Sequence, residues 1–341
     1  MLALFFLFIQ QMIYFYVILL TFLYAYAKID EKEIIDFCDF KICKKGETQF
    51  TMQTNAAENN SQINTRLHES ASSSLKGRRL SEKAIKNLIA KKGLQSPKLF
   101  IYSTTDSTNT RAKLYAESKN AVLPAVFIAE HQSAGRGRMG RRFDSENGGG
   151  IYISFLFTPK EDAEPAFITL RAATDVARVI QALSGFSPKI KWVNDLVSEK
   201  GKIAGILTEG KTDQNGRFEY AVCGIGINLY KRSFPPELSG IASTVFDASN
   251  TEIDINECAA NLICEFFKDR SQDEILKDYR RNCSTLNKQI TVNKLNGESF
   301  PAFAETITKR GELRVIKADG TPENLISAEV SVRENDKRED F

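Results

Sequence analysis

The sequence predicts an α+β domain over residues 80–283 followed by a small all-β domain over residues 284–333. Three observations carry this. With 341 residues, 42% hydrophobic and 26% charged, the chain has the composition of a globular protein with room for more than one core. Between residues 80 and 283, apolar runs of strand character are interleaved with segments of helical periodicity. Beyond residue 284 the runs become short, and Asn296–Gly297, Arg310–Gly311 and Asp319–Gly320 punctuate them with the turn spacing of a small antiparallel barrel.

Taken in order, "MLALFFLFIQQMIYFYVILLTFLYAYA" (1–27) is apolar and long enough to span a bilayer, for which about 20 apolar residues suffice. On its physics alone it favours a membrane anchor, and the alternative is a start placed upstream of the true one, for instance Met52. Residues 28–79 are polar and rich in Asn, Gln and Ser, the composition of a linker. They show no two-helix pattern with a basic second helix, so no DNA-binding domain is expected there.

"LSEKAIKNLIAKKGL" predicts a helix capped by Ser81, "PKLFIYST" a strand, and "STNTRAKLYAESKN" a helix opened by Ser/Thr/Asn capping chemistry. "AVLPAVFIAE" and "GGGIYISFLFTP" are strands on either side of a glycine–arginine loop. "AFITLRAATDVARVIQALSG" is an amphipathic helix ended by Gly185. "PKIKWVNDLVSEKGKIAGILTEG" reads as strands joined by a turn at Glu199–Gly201, and "RFEYAVCGIGINL" as a further strand. Residues 254–283 carry two helical patterns, and 334–341 form a charged tail.

Several function classes are excluded early. A formal net charge of +3 gives no support for a nucleic-acid-coating protein. Cysteines at 38, 43, 223, 258, 264 and 283 form no CxxC pair, and only His68 and His131 accompany them, so no metal site is expected. Their spread suits reduced thiols in the cytoplasm.

Four stretches carry chemistry. In "SAGRGRMGRR" (133–142), Gly135, Gly137 and Gly140 permit positive φ and close backbone approach, and Arg136 and Arg138 can converge on one phosphate; a basic surface turn is the plainer alternative. In "KWVNDLVSEKGKIAGIL", a hairpin brings Lys191 and Lys202 toward one site beside Asn194 and Asp195, and Ala204 and Gly205 leave room for a ligand; the alternative is a hairpin with solvated lysines. "CGIGINL" breaks a strand with Gly224 and Gly226 before Asn228, either for a close approach or as a bulge. Ser107, Thr108 and Asn109 of "DSTNT" read first as a helix cap.

In this order, and with a small β domain after them, "DSTN", "EHQSAGRGRMGRRF", "KWVNDLVSEKGKIAGIL" and "GIGIN" resemble the biotin protein ligases over residues 80–333. The resemblance implies a catalytic domain like that of class II aminoacyl-tRNA synthetases, with a mixed sheet packed by helices, then an SH3-like β-barrel. It implies ATP-dependent attachment of biotin to a lysine of a biotin carboxyl carrier domain, through biotinyl-5′-AMP with loss of pyrophosphate and with Mg²⁺ accompanying ATP. Biotin contacts then fall on Ser107, Thr108, Asn109, Gln132, Arg136, Gly137, Arg138, Lys202 and Gly205. ATP and adenylate contacts fall on Arg136, Arg138, Phe143, Lys191, Asn194, Lys202 and Asn228, with Lys202, Arg138 and Asp195 carrying the chemistry.

The chain departs from the family pattern at Val193, where proline is usual, and at Phe143, where many members have tryptophan. Three rivals stand beside this: a lipoate-type ligase, whose RRxSGGG-type motif is absent; a biotin-responsive regulator without ligase activity; and a membrane-anchored protein of other function. A homodimer stays open.

Overall fold

The computed structural model describes residues 78–332 except 146–147, 161–163 and 327–328. The expectations for residues 1–27, 28–77 and 334–341 therefore lie outside the described residues.

Helix α1 (Glu82–Lys91) starts at Ser81, whose hydroxyl accepts from Ala84 N as expected of a cap. Strand β1 (Lys98–Thr105) runs through helix α2 (Thr108–Ala116) into β2 (Ala125–Gln132), and the two strands pair in parallel. Then come β3 (Gly150–Phe157), the long helix α3 (Pro165–Ser184), and β4 (Lys189–Lys191), β5 (Asp195–Ser198), β6 (Gly201–Thr212) and β7 (Phe218–Asn228). The sheet order is β1-β2-β3-β7-β6-β5-β4, and every pair but the first is antiparallel, so the sheet is mixed. Gly185 ends α3 at φ 72°, the left-handed stop that glycine supplies without strain.

Alternation along the strands sorts the two faces. Val126, Ile128, Ile151, Ile153, Phe155, Ile225 and Ile227 pack under α1, α3 and α5 (Ile255–Phe267) in the principal core. Phe127, Leu156 and Val222 turn the other way and pack with Ala112 of α2. Helix α2 covers only part of that second face, and the remainder forms a pocket floor. A short helix α4 (Val245–Ser249) precedes α5, and α6 (Gln272–Asn282) follows it. The helical patterns expected over 254–283 are thus α5 and α6.

The C-terminal strands β8 (Gln289–Asn293), β9 (Ser299–Ile307), β10 (Leu313–Lys317), β11 (Pro322–Leu325) and β12 (Glu329–Val332) form an antiparallel sheet in the order β11-β10-β9-β8-β12. Gly297, Gly311 and Gly320, at φ 87°, 86° and 84°, occupy the three turns read from the sequence. The single tryptophan joins this sheet to the seven-stranded one. Trp192 is 3% exposed, its indole N–H lies 3.4 Å from Gly311 O, and its backbone N–H donates to Thr285 Oγ1 at 3.0 Å. Tyr279 OH of α6 closes the same junction on Val193 O at 3.2 Å.

Candidate active site

The pocket floor is paved by strand residues of one parity. Gly205 pairs with Gly226 and Leu207 with Gly224 between β6 and β7; Ser154 and Tyr152 of β3 pair with Gly224 and Gly226. Strand β7 runs unbroken through both glycines, so these positions serve close approach and are not a bulge. A Cβ on Gly224 would stand 2.0 Å from Asn109 Oδ1, and one on Gly226 2.9 Å from the Phe143 ring. On Gly205 it would stand 3.0 Å from both Phe143 and Lys202 Nζ.

The glycine–arginine segment folds back on itself as a strap across this floor. Gly137 N donates to Arg141 O at 2.7 Å and Phe143 N to Gly135 O at 3.0 Å. Its tip is a single 3₁₀ turn, Arg138–Gly140. Of the three glycines credited with positive φ, only Gly140 (74°) takes it, and Met139 joins it at 58°. Gly135 is required for a different reason: a Cβ there would meet Phe143 O at 2.7 Å. Arg136, Gly137 and Arg138 line the pocket, and Arg138 Nη1 donates to Asn194 Oδ1 at 2.9 Å, tying the strap to the β4–β5 turn. Phe143 roots the strap, edge-on to Tyr152 with ring centroids 6.1 Å apart.

At the other end lies the start of α2. Ser107 occupies the N-cap, but its hydroxyl makes no capping bond; Asp106 Oδ1 accepts from Ser107 N at 2.7 Å in its place. The side-chain cap expected from "DSTNT" is therefore not formed by Ser107, and Ser107, Thr108 and Asn109 turn into the pocket. Gln132 Oε1 accepts from Thr108 N at 2.8 Å and Thr108 Oγ1 at 3.1 Å. Ser154 Oγ lies 2.7 Å from Thr108 Oγ1 and 2.6 Å from Asn109 Oδ1, donating its one proton to either. Asn109 Nδ2 donates to Glu209 Oε2 at 2.8 Å, and Lys113 Nζ holds Glu209 Oε1 at 2.7 Å. Burial works to raise the Glu209 pKa, but hydrogen bonds from Lys113 and Asn109 outweigh it and hold the carboxyl below its ordinary value.

Lys202 reaches the pocket from the start of β6 and pairs with Asp195 at 2.7 Å. Its ammonium lies 5.7 Å from the Phe143 ring centroid. Lys191 does not join it in the lining. That lysine sits exposed on β4, the sheet's edge strand, two strand spacings from Gly205, or about 10 Å. Asn228 also lies outside the lining: it is 4% exposed, donates to Ser243 O at 3.1 Å and accepts from Arg232 Nη2 at 3.3 Å. It braces the loop after β7.

Glu209, Lys113 and Ser154 escaped the sequence reading. The signals were available: Ser154 interrupts an apolar strand, Lys113 follows Asn109 by one helical turn, and Glu209 shares strand parity with Gly205. Among the described residues no group of three or more His, Cys, Asp or Glu comes together to hold a metal, and no helix is long and apolar enough to cross a membrane.

Taken together, the pocket has a cationic end (Arg136, Arg138, Lys202) suited to charge developing on a phosphoryl group, and a neutral polar end suited to a small uncharged head group. Residues 100–228 match the biotin/lipoate A/B protein ligase family. The bifunctional ligase/repressor BirA of Bacillus spizizenii is 36% identical over 157 residues, 45% of this chain and 48% of that protein. The chain thus spans about half the length of that relative. The biotin–[acetyl-CoA-carboxylase] ligase of Mycobacterium tuberculosis is 27% identical over 244 residues, 69% of this chain and 89% of that protein. Among solved structures, the Aquifex aeolicus biotin protein ligase in complex with biotin and ATP superposes with a TM-score of 0.59 at 25% identity, covering 69% of this chain and 98% of that one.

Proposed function

We propose, from the premise that residues 100–228 belong to the biotin/lipoate A/B protein ligase family, that this chain is a biotin protein ligase. It joins the biotin carboxylate to ATP, releases pyrophosphate, and passes the biotinyl group from biotinyl-5′-AMP to a lysine of a carboxylase's carrier domain. The observation that carries this is the two-ended pocket, with Lys202 and Arg138 at one end and the Ser107–Thr108–Asn109–Gln132 network at the other.

In the first half-reaction a carboxylate oxygen attacks the α-phosphorus and charge builds on the phosphoryl oxygens. Lys202 and Arg138 are fixed cations for that charge, worth about 10²–10³ in rate for one well-placed donor. Asp195 holds the Lys202 ammonium in place through their 2.7 Å contact. In the second half-reaction the carrier lysine attacks the acyl carbon as a neutral amine, the acyl–O bond of the mixed anhydride breaks and AMP leaves, and Asp195 is the nearby carboxylate that takes the amine's proton. The strap, latched by Arg138 to Asn194, keeps water from the mixed anhydride in between. Magnesium enters as the counter-ion of ATP and so as part of the substrate. We read residues 80–283 as the catalytic domain and the sheet over 284–333 as its SH3-like barrel, in a cytoplasmic enzyme.

The test is pyrophosphate release by the full chain with biotin, ATP and Mg²⁺, with a lipoate control, followed by transfer to a purified carrier domain. Biotin-dependent release that Lys202→Ala loses by about 10²-fold or more is expected. Release with lipoate alone, or with neither acid, would overturn the assignment.

A further inference from the structure

The cluster Lys113–Glu209–Asn109 forms a hydrogen-bonded unit at the neutral end, with the Arg136 charge near enough to help hold the Glu209 carboxyl down. Asn109 Nδ2 carries two hydrogens, and both are committed: one to Glu209 Oε2 at 2.8 Å, the other to Leu207 O at 3.3 Å. A carboxylate and a carbonyl can only accept, so the amide has one permitted orientation. What it has left to offer is Oδ1, an acceptor with two lone pairs, one of which faces Ser154 Oγ at 2.6 Å. Gly224 leaves the space that Oδ1 fills. Lys113, one helical turn beyond Asn109 on α2, fixes the second oxygen of Glu209 at 2.7 Å.

The neighbours have the opposite sense. Gln132 turns its oxygen to Thr108, so its Nε2 is the group left over, and the Ser107 hydroxyl makes no capping bond. An acceptor beside donors is the complement of a cyclic urea, which presents N–H next to C=O. A dithiolane ring has no N–H to give.

We propose that Glu209 is a positioning and specificity-determining residue: clamped by Lys113, it locks the Asn109 amide with its oxygen toward the pocket and makes an N–H donor on the ligand's ring a condition of binding. This rests on the assignment of the pocket to biotin. Glu209→Gln supplies an amide that can itself donate to Asn109 Oδ1, which frees the asparagine to turn over. Lys113→Met removes the clamp and leaves the carboxylate.

The experiment uses the full chain and both variants. Calorimetry gives Kd for biotin and for its two mono-N-methyl ureido isomers, and pyrophosphate release gives kcat and the separate KM values for biotin and ATP. For Glu209→Gln the biotin Kd and KM rise about 10–100-fold, the scale of one hydrogen bond to a charged group. The ATP KM stays within about twofold, and the preference for biotin over the N-methyl isomers narrows. Lys113→Met shifts the same quantities in the same direction by less; it decides the matter if Glu209→Gln lacks a cooperative melt.

A biotin Kd within about twofold of wild type, or biotin and ATP KM rising together, overturns the proposal. Wild type failing to bind biotin would overturn the assignment of the pocket along with it. Wild type binding biotin beside unaffected variants would overturn this inference alone.

Discussion

Gly224→Ala perturbs the pocket by one methyl group, and the structure sets its size. The added Cβ would lie 2.0 Å from Asn109 Oδ1, 2.8 Å from its Cγ and 2.9 Å from its Nδ2. Reaching ordinary contact at 3.4 Å requires the asparagine amide to retreat by about 1.4 Å. Backing it away from β7 pulls its oxygen from Ser154 and moves its Nδ2 off the 2.8 Å bond to Glu209. One lost hydrogen bond to a charged group costs about 1.5–3 kcal/mol, which is about 10–100-fold in biotin Kd. Overpacking adds a stability cost of about 1–3 kcal/mol. Gly226→Ala is the internal comparison, since its Cβ meets only the edge of the Phe143 ring at 2.9 Å, and it leaves the asparagine network untouched. Titration calorimetry with biotin reads the affinity, and a thermal melt confirms that both variants fold. A Gly224→Ala protein that binds biotin within about threefold of wild type would refute the close-approach reading of this glycine.

Two further outcomes follow from the packing. Trp192→Ala should destabilise the folded unit by about 3–5 kcal/mol in denaturant unfolding, because a buried indole at the junction of the two sheets is replaced by a cavity; a loss below about 1 kcal/mol would show that the junction is not held there. Burial pushes the Cys223 and Cys258 thiols up to about 12, so neither is alkylated in the native protein at pH 8 although both react in urea, as peptide mass spectrometry would read. The sign follows from linkage. A thiol held neutral above its unfolded value of 9.0 contributes stability that is present below that pH and fades as pH rises toward 12. Native labelling of either residue at pH 8 would contradict their burial.

Much of the fold was legible because its local signals agree with its tertiary structure. Ser81 before an amphipathic run is a cap, Gly185 after one is a stop, and glycines at 297, 311 and 320 sit where chain reversals need positive φ. Such features are decided within a few residues, and reading them requires no knowledge of what packs where. The order of strands was not legible. Nothing in "GGGIYISFLF" announces that β3 lies next to β7, some 70 residues later in the chain, since both strands are mainly apolar on both faces and their few polar positions, such as Ser154 and Glu219, do not name a partner strand.

The site divides along the same line. Residues whose type is unusual for their local setting stood out: arginines alternating with glycines, glycines inside a strand, a lysine just after a turn. Residues whose type is ordinary for their setting did not. Glu209 lies in the second half of strand β6, Lys113 lies in the last turn of a helix, and each looks like a solvated surface charge until β6 and α2 are brought together and set them 2.7 Å apart. Lys191 is placed differently by the motif and by the strand order. It stands beside Trp192 in the motif and belongs by sequence to the site, but its strand is the last in the sheet, so Asp195 intervenes and pairs with Lys202. The tryptophan that drew attention to the motif is a buried contact between the two sheets. What the motif contributes to the pocket is Lys202, Gly205 and Asn194, and the Asn194 oxygen takes the Arg138 guanidinium and so ties the strap to the turn beside Trp192.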